Sequence, residues 1–424
     1  MKKSILLLTV LVAISCAAKE IYVDYSKGKR NGAGDKNSPF DCIDTAFKKV
    51  AAGDTIYILP QDKPIRGFIS IEKDLGGTPD APITIDGMNN IFTGEVPLKK
   101  KDWKEVSPGL FCRKFSSQPS NLLRLFLIHD GKAVRMGRFT KGDGSAPFKA
   151  LDDLQPGEWT IVDPNPTEKK SKADSYDYEF YVKLGEGEKT LADGKWSEPK
   201  YMCGVKMNGR CSKKCPQGCT EPHIANIIVK NLIVTHYWND GFNFHFNVGN
   251  IKIENCAAVE CGDDGISAHN NVQMDAANFV SIRNSSGICH IGNAKCTHEN
   301  FYIEDSLGTD FNPQGAAVHI LNDVYIKSSC LRSIFITSKK GGAAIMKNCF
   351  AVSTGETPSR FIITRKEADL KFENVVLGNY KIVHPAEGVT ESDDINALTA
   401  KIAAKRAELF ALFGGNLEKA CGEK

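Results

Sequence analysis

The sequence lacks a large excess of charge of either sign. Its 424 residues contain 54 lysines and arginines against 51 aspartates and glutamates, which gives a formal net charge of +3. A chain this close to neutral has no polyelectrolyte character, so we expect no nucleic-acid partner. The sequence also lacks a long hydrophobic run. The apolar stretch at residues 5–14 is shorter than the roughly 20 residues that a membrane span needs.

The first 18 residues are typical of an export signal. Lys2 and Lys3 precede the apolar stretch, and the small residues 15–18 resemble a cleavage region. Cleavage after Ala17 or Ala18 predicts a soluble protein that is secreted or periplasmic. Cleavage before Cys16 predicts a lipid-anchored protein instead.

Cysteine is not scarce, because the chain contains 14 of them. In an exported protein this number favours disulfide bonds. Cys203, Cys211, Cys215 and Cys219 lie in one loop-like segment, and two local disulfides are the first interpretation. A four-thiolate zinc site is the second, because the spacing differs from the paired CxxC of many zinc sites. Cysteines in the later repeats are also candidates for small apolar core residues.

A repeat occupies residues 223 to 378. Each copy has an apolar residue, a polar residue, then Asn, Asp or Ser, and then a short β-type run. The copies follow one another at about 20 to 29 residues, the range of solenoids. The alternating pattern predicts strands with one buried face, which stacking joins into one core. The aligned turn positions, which predict a ladder of side-chain amides, are Asn231, Asn255, Asn284, Asp305, Ser328, Asn348 and Asn374.

This repeat resembles the right-handed parallel β-helix of the pectate-lyase-like superfamily. A leucine-rich or helical repeat does not fit, because the sequence has neither an LxxLxL consensus nor a 3.6-residue period. The resemblance implies an all-β solenoid. Along the chain we predict a signal peptide at residues 1–18, an N-terminal cap with the first turns at 19–95, a β-rich insertion with the Cys-rich loop at 96–222, the main β-helix at 223–390 and a C-terminal capping helix at 391–424. The N-terminal cap contains a helix from Ser38 to about Ala51. The C-terminal helix has Ser392 or Asp393 as its N-cap.

Two neighbouring repeats carry the clearest candidate site. Asp240-Gly241 is followed 24 residues later by Asp264-Gly265, so the two aspartates are predicted to stack about 4.8 Å apart. Asp263 adds a third carboxylate. Stacked carboxylates are costly unless they share a proton, a cation or a substrate. Such a group suits acid–base work in glycoside hydrolysis or the binding of Ca²⁺.

Side chains near these aspartates are further candidates. The register predicts that four side chains project outward on one face of the β-helix, namely Asn243, His245, Ser267 and His269. The candidate catalytic residues are Asp240, Asp263, Asp264, His269 and His290, and the candidate substrate-binding residues are Trp238, Asn243, His245 and Arg283.

Two short segments resemble the polygalacturonase-like glycoside hydrolases. Asn239-Asp240-Gly241 and Gly262-Asp263-Asp264 are similar to that family's Asn-Thr-Asp-Gly and Gly-Asp-Asp motifs. The resemblance covers about 60 residues and implies that the three aspartates are catalytic. Ser286 stands where the family has a histidine, with His290 nearby.

The sequence therefore predicts an exported, monomeric enzyme that cleaves glycosidic bonds of a polysaccharide. In an inverting hydrolase, one aspartate protonates the leaving oxygen and another activates water. In a lyase, His269 or His290 removes the C5 proton of a uronate, and Ca²⁺ on the aspartates stabilises the enolate. The alternative is a non-catalytic surface or carbohydrate-binding β-helix, in which the aspartates only cap turns.

Overall fold

The computed structural model describes residues 18–72, 75–141, 144–172, 174–211, 219–364 and 367–423. Almost all of the regular structure in these ranges is β, and the two largest sheets consist of parallel strands. The predicted parallel β-helix is therefore confirmed. The predicted signal peptide up to residue 17, with Cys16, and also Cys215 lie outside the described residues.

The strands and helices fall into three parts along the chain. The N-terminal part contains β1 (Glu20–Val23), α1 (Ile43–Phe47), β2 (Thr55–Ile58), β3 (Ile65–Arg66), β4 (Ile69–Glu72) and β5 (Ile83–Thr93). The middle part contains β6 (Glu95–Pro97), β7 (Lys104–Ser107), β8 (Leu110–Ser117), β9 (Leu127–His129), β10 (Lys132–Val134), β11 (Trp159–Val162), β12 (Tyr176–Lys183) and β13 (Ser197–Pro199), with 3₁₀ turns at Lys100–Asp102, Pro119–Arg124 and Leu151–Asp153.

The third part builds most of the solenoid and its C-terminal helices. It contains β14 (Val205–Gly209), β15 (Ile224–Thr235), β16 (Phe242–Phe246), β17 (Val248–Val259), β18 (Asp264–Asn270), β19 (Gln273–Ile282), β20 (Ser286–Gly292), β21 (Lys295–Glu304), β22 (Thr309–Gly315), β23 (Val318–Ser328), β24 (Ile334–Ser338), β25 (Ala343–Ser353), β26 (Ser359–Ile363), β27 (Asp369–Gly378), β28 (Tyr380–Ile382), β29 (Val389–Glu391), α2 (Ile395–Ala411) and α3 (Asn416–Ala420).

Two parallel sheets form the wall of the solenoid. The first has the order β1-β2-β5-β15-β17-β19-β21-β23-β25-β27-β29, with β3 beside β5. The second has the order β28-β26-β24-β22-β20-β18-β16-β14-β4. Each turn of the main solenoid supplies one long strand to the first sheet and one short strand to the second, and alternate residues of both point into one continuous apolar core.

A ladder of asparagine side chains marks a bend within the long strands. Asn231, Asn255 and Asn278 all have left-handed backbone, with φ between +52° and +54°. The amide of Asn255 donates to Asn231 over 3.1 Å, and the amide of Asn278 donates to Asn255 over 2.8 Å. Asn adopts this conformation at lower cost than most residues. Its backbone therefore forms the bend, and its side chain joins one turn to the next by a hydrogen bond.

The predicted ladder is right at four positions and wrong at three. Asn231, Asn255, Asn348 and Asn374 take part in it, each with an amide bond to a neighbouring turn. Asn284, Asp305 and Ser328 do not, because they lie beyond the bend, at the end of the long strand or in the corner that follows it. Asn284, for example, is buried and its side chain bonds the backbone of Ala258 and Cys261. The residues at the bend in those turns are Asn278, Asn300 and Asp323.

We expect Asn255→Ala to be less stable than Asn255→Gly by about 1–2 kcal/mol, the cost of left-handed backbone for a residue with a Cβ. Both variants lose the same amide bonds, so their difference isolates the backbone. Urea unfolding midpoints measure it. Exposed Asn37 is the control, because its φ is not in the left-handed region. If Ala and Gly at residue 255 are equally stable, the backbone account of the ladder is wrong.

The terminal helices differ from the predictions. Helix α1 is shorter than predicted, because Phe40 bridges to Val23 of β1 and Cys42 is still extended. Helix α2 starts after Asp394, whose side chain accepts from the Ala397 N–H, so the N-cap is one residue later than the nearer candidate. Apolar residues of α2 pack on the outer face of the first sheet against Tyr325 and Phe350. The helix thus covers an apolar stripe on the outer face of β19 to β25 rather than the end of the stack.

The insertion folds around an apolar core of its own. Its antiparallel sheets have the orders β10-β9-β13-β6 and β11-β12-β8-β7. Their shared cluster includes Trp103, Trp159, Phe180 and Trp196. The insertion is shorter than the predicted 96–222, because β14 pairs in parallel with β4 and β16 and so belongs to the second sheet of the solenoid.

The described cysteines form no disulfide with one another. The prediction of disulfides is therefore wrong for this part of the chain. Cys256 and Cys349 instead lie in the solenoid core as small apolar residues, as the repeat pattern allowed. No helix among the described residues is both long and apolar enough to cross a membrane.

Candidate active site

Asp240 and Asp264 occupy the same position in adjacent turns. Phe242 of β16 is level with Ile266 of β18, which places the two aspartates one above the other, as predicted. The backbone N–H of Asp264 donates to Oδ1 of Asp240 over 3.0 Å. One carboxylate oxygen from each of Asp240, Asp263 and Asp264 lies within 4.8 Å of the other two. We call these three residues the aspartate cluster.

Two glycines allow this corner to form. A Cβ on Gly241 would lie 2.6 Å from Cβ of Ala258, and a Cβ on Gly265 would lie 2.4 Å from Oγ of Ser281. Each glycine follows an aspartate of the stacked pair. Glycine is therefore needed after each aspartate because the starts of β16 and β18 lie close to β17 and β19 of the first sheet. This requirement is separate from any role of the aspartates.

The insertion covers the aspartate cluster with residues 124–141, which we call the roof segment. The guanidinium of Arg124 donates to Oδ2 of Asp263 over 2.7 Å. The ammonium of Lys141 lies 2.6 Å from Asp263 and 2.5 Å from Asp264. The hydroxyl of Thr140 also donates a hydrogen bond to Asp263. Sequence reasoning missed all three residues.

The cover leaves the three aspartates 2–5% exposed. An open cleft walled by the insertion would have favoured an enzyme over a non-catalytic module. The insertion is indeed next to them, but it closes over them. The side chains of Lys141 and Arg124 remain 19% and 28% exposed, so they form the boundary between the aspartate cluster and solvent.

The three carboxyl groups differ strongly in pKa. Burial and the neighbouring Asp264 and Asp263 raise the pKa of Asp240 well above its ordinary value. Burial acts on Asp263 too, but Lys141 and Arg124 outweigh it and hold that pKa well below the usual range. Burial raises the pKa of Asp264 to about 6, although Lys141 opposes the rise. Near neutral pH, Asp263 is therefore ionised while the stacked pair retains a proton.

Asn243 is buried rather than exposed, which corrects its predicted role in substrate binding. Only 1% of its surface is exposed, and its amide donates to Oδ2 of Asp240. The amide of Asn239 donates to the same oxygen over 3.1 Å. The two asparagines thus fix the carboxyl of Asp240 in place.

His245 and His269 form a stacked pair on the outer face of the second sheet, as predicted. Their ring centroids are 4.1 Å apart and their planes differ by 10°. Both are partly exposed, and Nε2 of His269 is 3.0 Å from Oγ of Ser267. Burial, with help from the neighbouring His245, lowers the pKa of His269 to about 4. His269 is therefore a neutral imidazole at pH 7.

His290 points into the solenoid, which corrects its assignment as a catalytic base. It is level with inward-facing Ala268, is fully buried, and has Nε2 2.9 Å from Nε2 of His298. Because β20 begins at Ser286, residue 290 falls on the same inner face as Ile288. A buried group of this kind cannot reach a polymer outside.

Two other predicted substrate-binding residues are not joined to the aspartate cluster by any described contact. Arg283 pairs with Glu260 over 2.7 Å and donates to the carbonyl of Cys421 over 2.9 Å. It therefore fastens the C-terminal segment to a corner of the solenoid. Trp238, two residues before Asp240, is partly exposed, as substrate stacking would require.

The aspartate cluster has oxygen ligands of the kind that Ca²⁺ prefers, within a suitable span. However, the ammonium of Lys141 already contacts both Asp263 and Asp264. It supplies positive charge where a cation would otherwise do so. The described residues therefore do not fit a Ca²⁺ ion unless Lys141 moves, and we derive no step through one.

Together, fold and site define a parallel β-helix protein whose corner aspartates are covered by an inserted β-rich unit. No protein-family model matches the sequence, and no curated protein matches it. Solved structures with a similar fold include a glycoside hydrolase, with 10% identity over 92% of this chain and 98% of that one and a TM-score of 0.48.

Two further structures are similar to this chain. They are XylC in complex with xylose, with 11% identity over 89% of this chain and 86% of that one and a TM-score of 0.41, and a rhamnogalacturonan lyase, with 11% identity over 90% and 86% and a TM-score of 0.35. At these identities the likeness is one of fold alone.

Proposed function

We propose that the protein is an exported glycoside hydrolase that acts on a polysaccharide at the aspartate cluster. The observation that carries the proposal is geometric: three carboxyls lie within 4.8 Å of one another, and both Arg124 and Lys141 contact Asp263 whereas of these two only Lys141 contacts Asp264. These contacts hold Asp263 ionised, while burial raises the pKa of Asp264 to about 6. Glycoside hydrolysis needs one carboxyl that donates a proton and one that is charged. Neighbouring groups with such different protonation supply both.

Asp264 is the general acid in this proposal. It begins β18 and contacts Lys141 at the boundary with solvent, next to the face that carries Ser267 and His269. Asp263 stays ionised and attacks the anomeric carbon as the bond to the leaving oxygen breaks. Water then hydrolyses this glycosyl-enzyme, with the deprotonated Asp264 as the base. The oxygens of the aspartate cluster lie within 4.8 Å of one another, closer than the roughly 6.5–9.5 Å typical of inverting enzymes. The spacing therefore favours a retaining mechanism over the inverting one.

The roof segment has to move for this function. A sugar reaches Asp264 only if Lys141 leaves its position between Asp263 and Asp264. Closure of an active site by a loop or inserted unit is a common way to exclude water. Below about pH 6, where Asp264 holds its proton, Lys141 and Arg124 bring two positive charges against the single charge of Asp263, which favours a polysaccharide with acidic groups.

A lyase is the second candidate, and His269 favours it. Its imidazole is neutral at pH 7 and partly exposed, so it can accept the C5 proton of a uronate. Lys141 or Arg124 would then neutralise the carboxylate of the sugar.

The test is an assay of the purified protein on a panel of acidic and neutral polysaccharides, with and without Ca²⁺. Reducing ends and the ultraviolet absorbance of unsaturated uronates are followed together. We expect reducing ends to rise alone, as hydrolysis requires. A rise in both signals would establish the lyase. If neither rises on a broad panel, the protein is a non-catalytic binding module and the buried aspartates only support the corner.

A further inference from the structure

A second group of metal-binding side chains lies between β14 and β15. One ligand atom from each of Cys211, Cys219 and His223 lies within 4.8 Å of the other two. Sγ of Cys219 is 3.9 Å from Nε2 of His223. All three residues are partly exposed, so an ion can reach them from solvent.

We propose that Cys211, Cys219 and His223 bind Zn²⁺. In a tetrahedral zinc site, bonds of about 2.3 Å to sulfur and about 2.0 Å to nitrogen place neighbouring S and N atoms about 3.5 Å apart. The observed separation of 3.9 Å needs only a small inward shift. Thiolate and imidazole ligands select zinc over the oxygen-seeking Ca²⁺ and Mg²⁺. This zinc site shares no residue with the aspartate cluster and does not depend on the proposed hydrolase.

Asn247 provides independent support, because its buried amide is directed at the ligands. Only 4% of Asn247 is exposed. Its Nδ2 lies 3.2 Å from Sγ of Cys211 and 2.7 Å from the carbonyl oxygen of Cys219. Asn271 donates to Oδ1 of Asn247 over 2.9 Å and so orients the amide. An N–H donor aimed at a sulfur stabilises a metal-bound thiolate, as residues behind metal ligands usually do.

The zinc would join two stretches of backbone directly and a third through hydrogen bonds. Cys211 follows the end of β14, and His223 directly precedes β15. The backbone N–H of His223 donates to the carbonyl of Asn247, which directly precedes β17. The ion would therefore fasten the connection between the second and first sheets to the next turn, and its binding free energy would add to the stability of the fold.

The test measures zinc in the full-length protein purified without chelator. We expect one zinc per chain, and loss of at least 90% of it in Cys211→Ser and in His223→Gln. Cys112→Ser is the matched control, because Cys112 is a partly exposed cysteine in β8 of the insertion. It should keep its zinc. Unchanged zinc content in the first two variants would overturn the proposal. So would a wild-type protein that is purified without zinc and shows a Cys211–Cys219 disulfide by peptide mass spectrometry.

Two measurements keep the proposal testable if those variants do not fold. Wild-type protein refilled with Co²⁺ should show thiolate-to-cobalt charge-transfer absorption, and its absence would count against cysteine ligation. Asn247→Ala should weaken zinc binding about 10- to 100-fold in competition with a chelator, as expected for loss of a supporting hydrogen bond. Asn293→Ala, at the exposed end of the same row of amides, should leave zinc affinity within about twofold of wild type, because it does not contact a ligand.

Discussion

Replacing Asp264 with asparagine should lower polysaccharide cleavage about 10²- to 10⁴-fold, the usual contribution of a positioned general acid. The two side chains have the same shape, and the amide oxygen can still accept from Lys141. The variant should therefore fold while lacking the proton that hydrolysis needs. The measurement is kcat/KM on the best substrate of the panel. Asp275→Asn is the matched control, since Asp275 is exposed on the outer face of β19. Full activity in Asp264→Asn would remove this residue from the mechanism.

The pH profile gives a second readout of the same assignment. The folded pKa of Asp264 is raised to about 6, and the acid acts only when protonated. We therefore expect kcat/KM to be highest below pH 6 and to fall about tenfold per pH unit above it. Lys141 lowers this pKa, so Lys141→Met should move the fall to higher pH, whereas Lys141→Arg should leave it nearly in place. A base with the pKa of His269 would give the opposite profile, with activity rising through about pH 4.

Replacing Asp263 with asparagine should destabilise the protein by about 3–5 kcal/mol, the usual cost of breaking a buried ion pair from one side. The variant leaves Lys141 and Arg124 without their shared carboxylate. Thr140 also loses a charged acceptor. We expect a lower unfolding midpoint in urea and faster proteolysis within the insertion, because the roof segment is released first. Asp130→Asn is the control: it breaks an ion pair with Lys195 whose side chains are 76% and 70% exposed, and such pairs contribute little.

The difference in stability between wild type and Asp263→Asn should disappear in acid. The folded pKa of Asp263 is held below its unfolded value of about 4. Its contribution to stability is therefore complete above pH 4 and is lost as the pH falls further toward the folded pKa. Wild type should lose more stability than Asp263→Asn between about pH 4 and pH 2. If both proteins respond to acid equally, Asp263 does not hold the roof segment through its charge.

The repeat predicts the fold, but the sequence does not show as easily which residue of each turn lies at the bend. Ile282-Arg283-Asn284 has the same local pattern as Ile253-Glu254-Asn255, so alignment by motif places Asn284 on the ladder. The strand register places Asn278 there instead, and Asn284 one corner later. Asn278 lies at the bend within β19 and Asn284 lies in the corner after that strand. Both positions favour asparagine, so local sequence similarity could not show which of the two belongs to the ladder.

The aspartates of the site were predictable, whereas their partners were not. Asp240 and Asp264 repeat at the period of the solenoid, so the stack follows from one turn to the next. Lys141 reaches Asp263 from 122 residues earlier in the chain. No periodicity relates an insertion to the wall on which it docks. Likewise, the sequence could not exclude His290 from catalysis, because its direction depends on whether β20 starts at Ser286, and the sequence pattern does not fix that boundary.

The position of the insertion sets the order in which the chain can fold. Asn255 contacts Asn231 across 24 residues, but Asn231 contacts Asp86 across 145. Closing the longer loop costs about 1.6 kcal/mol more entropy, from the logarithmic dependence on loop length. The turns from β15 onward can therefore assemble while β5 still lacks its neighbour. On a growing polypeptide, β1 to β5 emerge first and join last, so their unpaired edge is the stretch that most needs protection from aggregation.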